Sequence, residues 1–231
     1  YYLHHNPALL LRSYISDYLK EEILDEAKAR NLPAFRRFLE AAALTNGELV
    51  NYSNIARECG VSPPTVREYF FILEDTLIGA MVPAFRLRPK RRVIETPRFY
   101  FCDLGLVGTL TNRGRVLPKS ELFGRVFEHW VFQELRAHSH YSGRFYPISY
   151  WRTASQIEVD FVLGEAEVAI EVKGTDLVRP DQTRGLRAFM EEYQVKRAIV
   201  VSRDPTPRKM GAIEVLPWRV FCEQLWGGGM G

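Results

Sequence analysis

Residues 157–174 read IEVDFVLGEAEVAIEVKG. Apolar residues alternate along both halves, with a Gly-Glu-Ala break between them, the pattern of two strands joined by a tight turn. A two-residue loop at Glu165-Ala166 puts Asp160 opposite Glu171 and Glu158 opposite Lys173. Side chains alternate with period 2, so these four share one face. Ile157, Val159, Phe161, Leu163, Val168, Ile170 and Val172 share the other, against a core. A one-residue slip in register would break the pairing. Two neighbouring carboxylates are hard oxygen ligands suited to Mg²⁺ or Mn²⁺. A lysine beside them can orient an attacking water or offset charge on a phosphoryl transition state. The alternative is a wet sheet face carrying a Glu158–Lys173 ion pair, which contributes little.

The surrounding pattern makes the hairpin part of an α/β core. A helix is expected from Glu121 to His138, with Leu122, Val126, Trp130 and Val131 as its apolar face. Strands follow at Arg144–Trp151, Ile157–Leu163 and Glu167–Val172, then a helix at Pro180–Tyr193 and strands at Arg197–Ser202 and Ala212–Leu216. That order implies a mixed sheet with a right-handed crossover into Ala198–Val201.

The first half reads as helical. One helix is expected over residues 8–30, with Leu11, Ile15, Leu19 and Ile23 at helical period, stopped by Asn31-Leu32-Pro33. A second spans Ala34–Leu44. Ser53 is expected to cap a short helix closing at Gly60, and Ser62, followed by Pro63, to cap the next, which runs to about Thr76. Asn54–Leu73 therefore has helix-turn-helix spacing: small Ala56, Gly60 at the turn, Val66 locking the second helix, and Ile55, Cys59, Val61 and Tyr69 filling the core. Thr65, Arg67 and Glu68 would face outward, with Phe70 and Phe71 beside them. Two β-like runs, Ala80–Arg86 and Val93–Cys102, flank RLRPKRR at 86–92 and resemble the wing of a winged helix. The candidate nucleic-acid contacts are Thr65, Arg67, Arg86, Arg88, Lys90, Arg91 and Arg92. Winged helices also dock proteins, and Glu68 opposes phosphate.

Charge distribution agrees with a local anion-binding surface. The net charge of the 231 residues is only +3, yet Leu77–Lys119 holds nine basic and two acidic residues. Cys59, Cys102 and Cys222 are far apart, which argues against a disulfide framework or zinc site and fits a reducing cytosol. No apolar run of ~18 residues suggests a membrane span. His138-Ser139-His140 reads as an exposed helix end, His4-His5 as incidental, and His129 as a core histidine. Ser155, Thr175 and Ser202 have no base partner that would suggest a hydrolase triad. The chain opens on Tyr1, which reads as a trimmed or partial chain.

Asp160, ten intervening residues, then Glu171-Val172-Lys173 resembles the PD-(D/E)XK nuclease superfamily. The helix carrying Glu128 in GRVFEHWV precedes it, and that superfamily often adds a metal-site glutamate from its first helix. More widely, AFRRFLEAAA, SNIARECGVSPPTVREYFFILEDTLI, FYFCDLGL, GRVFEHWVFQEL, YWRT, IEVDFVL, IEVKG and GLRAF are similar to the C-terminal half of prokaryotic AAA+-type predicted ATPases, and cover nearly all of residues 8–202. The resemblance implies a winged helix joined to a restriction-endonuclease-like domain, and an upstream ATPase domain. The sequence departs from it in places. No GxxxxGK[ST] occurs, so no ATP site is expected in this chain. Val159 stands where the motif has proline. Gln182 is followed four residues on by Leu186, which leaves the helical signature of some helicase-linked nucleases incomplete.

The expectation is thus an α/β (α+β overall) protein. It has a helical segment at 1–32 that reads as the remnant of an ATPase lid, a winged helix-turn-helix domain at 33–117, a nuclease-like α/β domain with a central mixed sheet at 118–222, and a flexible tail at 223–231. The expected function is metal-dependent phosphodiester hydrolysis of DNA. Asp160, Glu171 and Glu128 hold Mg²⁺ or Mn²⁺, and Lys173 assists. The alternative is a catalytically inactive DNA-binding or protein-docking module regulating an ATPase. Expected partners are DNA and an upstream AAA+ ATPase domain, with an oligomer open, no membrane, and a cytoplasmic location.

Overall fold

A computed structural model describes residues 7–18, 31–87, 91–118 and 120–229. They form two compact units: 1–81 with 97–115, and 82–96 with 116–231.

The first unit is mostly helical. α1 (Pro7–Tyr18) buries Leu11 and Tyr18; the rest of the expected first helix, with Leu19 and Ile23, lies outside the described residues. α2 spans Leu32–Leu44. Asn31 does not merely end the preceding segment: its Oδ1 accepts the Ala34 N–H at 3.1 Å, capping α2, with Pro33 in the first turn. α3 (Tyr52–Cys59) and α4 (Pro63–Asp75) form the expected helix pair. The first cap is Asn51 rather than Ser53, because Asn51 Oδ1 takes the Asn54 N–H at 3.0 Å. Ser62 caps α4 as expected, accepting the Thr65 N–H at 3.3 Å. Gly60 closes α3 with φ of 68°, a left-handed conformation that glycine adopts at little cost. Ile55, Ala56, Cys59, Val66, Tyr69 and Phe70 are buried together with Phe35 and Phe38 of α2. Phe70 therefore belongs to the core, edge-on to Phe38, and only Phe71 of that pair is exposed. Strands β1 (Gly79–Val82) and β2 (Arg98–Phe101) pair, and a helix not foreseen from sequence, α5 (Leu104–Leu110), follows with Asp103 as its cap.

The second unit is a three-layer α/β sandwich. α6 runs Glu121–Tyr141, started by Ser120 Oγ accepting the Phe123 N–H at 3.2 Å. Its buried side is Phe127, Val131, Phe132 and Leu135; the expected Leu122, Val126 and Trp130 sit only partly buried, so the apolar face is rotated from that read in sequence. The sheet comprises β3 (Ile148–Arg152), β4 (Glu158–Leu163), β5 (Val168–Lys173), β6 (Arg197–Ser202), β7 (Arg208–Met210) and β8 (Ile213–Pro217), in the order β3-β4-β5-β6-β8-β7. β3, β4 and β5 are antiparallel neighbours, and β5, β6 and β8 run parallel. Between β5 and β6 the chain passes through a 3-10 turn (Pro180–Thr183) and α7 (Arg184–Glu192), whose Leu186 and Phe189 pack with Val162, Ala169 and Val200. The opposite sheet face meets α6, where Phe132 stacks on Phe161. It also meets α8 (Trp218–Trp226), a helix that occupies part of the expected tail and buries Phe221 and Leu225.

The segment 82–96 belongs to this unit. Phe85 is buried edge-on to Phe189 and Tyr193, its N–H donates to the Tyr150 carbonyl, and Ile94 N–H donates to the Arg152 carbonyl. The described ends of the basic stretch therefore group with this unit, although β1 and β2 on either side of it pair in the other. Arg91 donates to the Ala188 carbonyl at 3.0 Å and pairs with Glu191 and Glu192 on α7. Among the described residues, no helix is long and apolar enough to cross a membrane.

Candidate functional site

β5 reads VAIEVK and lies between β4 and β6, with helices over both faces. Strands covered on both faces are ordinarily continuous apolar runs. A carboxylate inside one is costly unless it is compensated, so Glu171 is the anomaly from which the site is built.

The register is the expected one. The β4–β5 ladder pairs Phe161 with Ile170, Val162 with Ala169 and Leu163 with Val168, which continues to Asp160 opposite Glu171. The connection is a four-residue turn, 164–167, with Gly164 and Ala166 both at positive φ, rather than the expected two-residue loop. Past the last ladder pair, Asp160 Oδ2 accepts the Val172 N–H at 2.8 Å, so a side chain replaces the backbone bridge and is fixed in place. Lys173 Nζ lies 2.8 Å from Glu171 Oε1. Glu158 instead pairs with Arg152, opposite it on β3, at 3.2 Å.

This is not a wet sheet face. Asp160 and Glu171 are each only 5% exposed. The roof is the start of α7: a Cβ at Gly185 would collide with the Glu158 carbonyl oxygen and lie 3.2 Å from Glu171 Oε2. Glycine is required there because helix and strand approach so closely. Burial pushes the Glu171 carboxyl up to about 7; Lys173 and the nearby Leu186 N–H draw it down, and Asp160 adds to the rise. Burial opposes charge on Lys173, but Asp160, Glu171 and Glu158 outweigh it and hold its pKa above the ordinary value. Glu171 Oε2 is buried without a well-formed hydrogen bond among the described residues, although the Leu186 N–H lies near enough to act on the carboxylate. The packing role of Gly185 is not foreseen from the hairpin, although a glycine inside a helical pattern is a signal of close packing.

Asp160, Glu171 and Lys173 are thus brought together. Glu128 is half-buried on α6 and is not among the charges acting on Glu171 or Lys173. No group of three or more potential ligands gathers among the described residues. Of the expected nucleic-acid contacts, Arg67 is exposed and lies 4.9 Å from the Tyr52 ring centroid. Thr65 is half-buried at the start of α4, Arg86 pairs with Glu95 at 2.8 Å, Arg92 is exposed, and Arg88 and Lys90 lie outside the described residues. His129 is fully buried. The helix end at His138 is docked rather than exposed: His138 Nδ1 lies 2.8 Å from the Tyr146 hydroxyl.

Comparison with known proteins gives relatives without an assigned activity. Residues 2–116 match a family described as Domain of unknown function (DUF8612), and residues 123–221 one described as Domain of unknown function (DUF4143). Uncharacterized proteins of Mycobacterium bovis and Mycobacterium tuberculosis are each 24% identical over 192 residues, 81% of this chain and 42% of theirs. The chain spans less than half the length of these curated relatives. No solved structure matches it.

Proposed function

We propose that the second unit is a restriction-endonuclease-like domain that hydrolyses phosphodiester bonds of DNA with a divalent cation, and that the α3–α4 pair is the helix-turn-helix of a winged-helix domain that holds the duplex. One observation carries this reading. The carboxylates of Asp160 and Glu171 converge beneath the start of α7, and Glu171 Oε2 is left buried without a well-formed hydrogen bond. Mg²⁺ keeps several waters and needs only one or two protein carboxylates, so two acids and an orphaned oxygen fit it. Asp160 and Glu171 would hold the ion; it supplies Lewis-acid charge at a phosphodiester. Glu128 is proposed as an additional ligand on the family resemblance.

The chain's own groups have definite parts. Asp160 is locked by the Val172 N–H and presents its carboxylate in one orientation. Lys173 stays charged, because its carboxylate neighbours raise its pKa, so it acts by charge and hydrogen-bond donation rather than as a base. Without a metal, Glu171 keeps its proton up to near neutrality, and it must give that proton up to act as a ligand. Arg67, Arg86 and Arg92 are proposed to contact phosphates; Arg91 is not, being engaged at α7. Relatives more than twice the matched length, with the resemblance to AAA+-type ATPases, support an upstream ATPase partner.

The test is cleavage of plasmid and linear DNA with Mg²⁺ or Mn²⁺, comparing the wild type with Asp160→Ala. Loss of cutting in the variant is expected. Cutting that survives the substitution refutes the assignment. Salt-sensitive DNA binding without cutting would instead favour the second reading, an inactive module regulating an ATPase, in which the Glu171–Lys173 pair is structural.

A further inference from the structure

A row of aromatic rings lies on the α6–α8 side of the second unit. Phe123, Phe127 and Trp130 follow one another along α6 with near-parallel planes, 14° and 7° apart, and 5.8 Å between successive centroids. Trp218, first residue of α8, stands at 89° to Trp130 with centroids 5.4 Å apart. The two indoles make a right-angled corner. Together with Arg203 these rings line an open groove of about 310 Å³. Phe127 is buried at its floor, while Phe123, Trp130 and Trp218 keep part of their surface in solvent.

Two guanidinium groups border this apolar surface. Arg203 lies 5.2 Å from the Phe123 centroid, pairs with Asp176 through Nη2, and has Nη1 buried without a partner. Arg219 is exposed and lies 4.9 Å from the Trp218 centroid. Flat ring surface interleaved with positive charge complements flat bases joined by negative phosphates. An aliphatic helix would gain nothing from the two cations, and a duplex keeps its base faces stacked inside.

The groove also meets the end of β5. A Cβ at Gly174 would come within 3.0 Å of the Phe123 ring and 3.5 Å of the Gly124 Cα. Gly174 directly follows Lys173 in the chain.

From the ring geometry and the flanking arginines we infer that this groove binds single-stranded nucleic acid, with unpaired bases stacking on Trp218 and Trp130 and phosphates drawn to Arg219 and Arg203. The inference does not depend on whether the Asp160–Glu171 site cuts.

The experiment is fluorescence anisotropy of a labelled twelve-nucleotide oligo-dT with the full chain, repeated with the same sequence as duplex, with dTMP as competitor, and with a proline-rich peptide. Wild type is expected to bind the single strand and to lose tryptophan fluorescence on doing so. Trp218→Ala should weaken binding roughly tenfold, the effect of losing one stacked base. Trp218→Phe should restore most of it, which a folding defect would not allow. Arg219→Ala should weaken binding and flatten its salt dependence. Single-strand binding should persist with a chelator present, so failure of the metal site and failure of the groove are told apart. Absence of single-strand binding, equal loss of single-strand and duplex binding in Trp218→Ala, binding of dTMP as tight as the oligonucleotide, or peptide binding alone would each overturn the inference.

Discussion

Replacing Glu171 with glutamine should flatten the pH dependence of stability. The carboxyl has its pKa raised from an ordinary 4.5 to about 7, chiefly by burial. Between those values the folded chain holds a proton that the unfolded chain has released. Stability from this group is therefore full below pH 4.5, falls as pH rises, and is gone above about 7. Integrating the two titrations gives a loss of roughly 2–3 kcal/mol between pH 5 and pH 8. Glutamine cannot titrate, so the variant should lose less than wild type over that interval by roughly that amount. The measurement is urea unfolding followed by circular dichroism at several pH values, with a chelator present. Parallel profiles for the two proteins, within about 0.5 kcal/mol, would refute the buried, strained carboxylate and with it the reason to see a ligand site there.

Mn²⁺ binding by wild type should release protons near pH 6.5 and tighten as pH rises, since a ligating carboxylate must give up its proton; calorimetry in buffers of different ionisation enthalpy checks this, and Asp160→Ala should abolish it. Gly185→Ala should cost about 1–3 kcal/mol in denaturant unfolding, because the new methyl meets the Glu158 carbonyl. Phe85→Ala, removing a ring packed on Phe189 and Tyr193, should destabilise by about 3 kcal/mol. Asn51→Ala should cost about 1 kcal/mol and Ser53→Ala almost nothing, which thermal melts of the two variants would compare directly.

The hairpin was legible because alternation sets its faces and a turn centred on Glu165-Ala166 sets its register: Phe161 faces Ile170 whether that turn holds two residues or four. That also made the meeting of Asp160, Glu171 and Lys173 legible. What covers them was not, since nothing local to the hairpin says that α7 lies over that face. Glu158 could have paired with Lys173, but β3 brings Arg152 beside it, a contact set by long-range pairing. Helix caps were misread where two capping residues stood close together, Asn51 and Ser53; both offer a side-chain acceptor, and helix packing decides between them. α5 and α8 are seven and nine residues long, short enough that packing rather than periodicity defines them. The 82–96 segment looked like a wing because strands flank it on both sides. Phe85, an aromatic residue directly before the basic stretch, is the sign that the segment is anchored elsewhere.

That anchoring bears on how such a protein can be inherited. A gene rearrangement that joined only residues 116–231 to a new neighbour would deliver a sheet layer stripped of Phe85 and of the main-chain bonds made by Phe85 and Ile94. Recombination between 81 and 82 would remove the β2 partner of β1 from the other body. The two bodies are interleaved along the chain, so neither can be cut out as one continuous segment without taking part of the other.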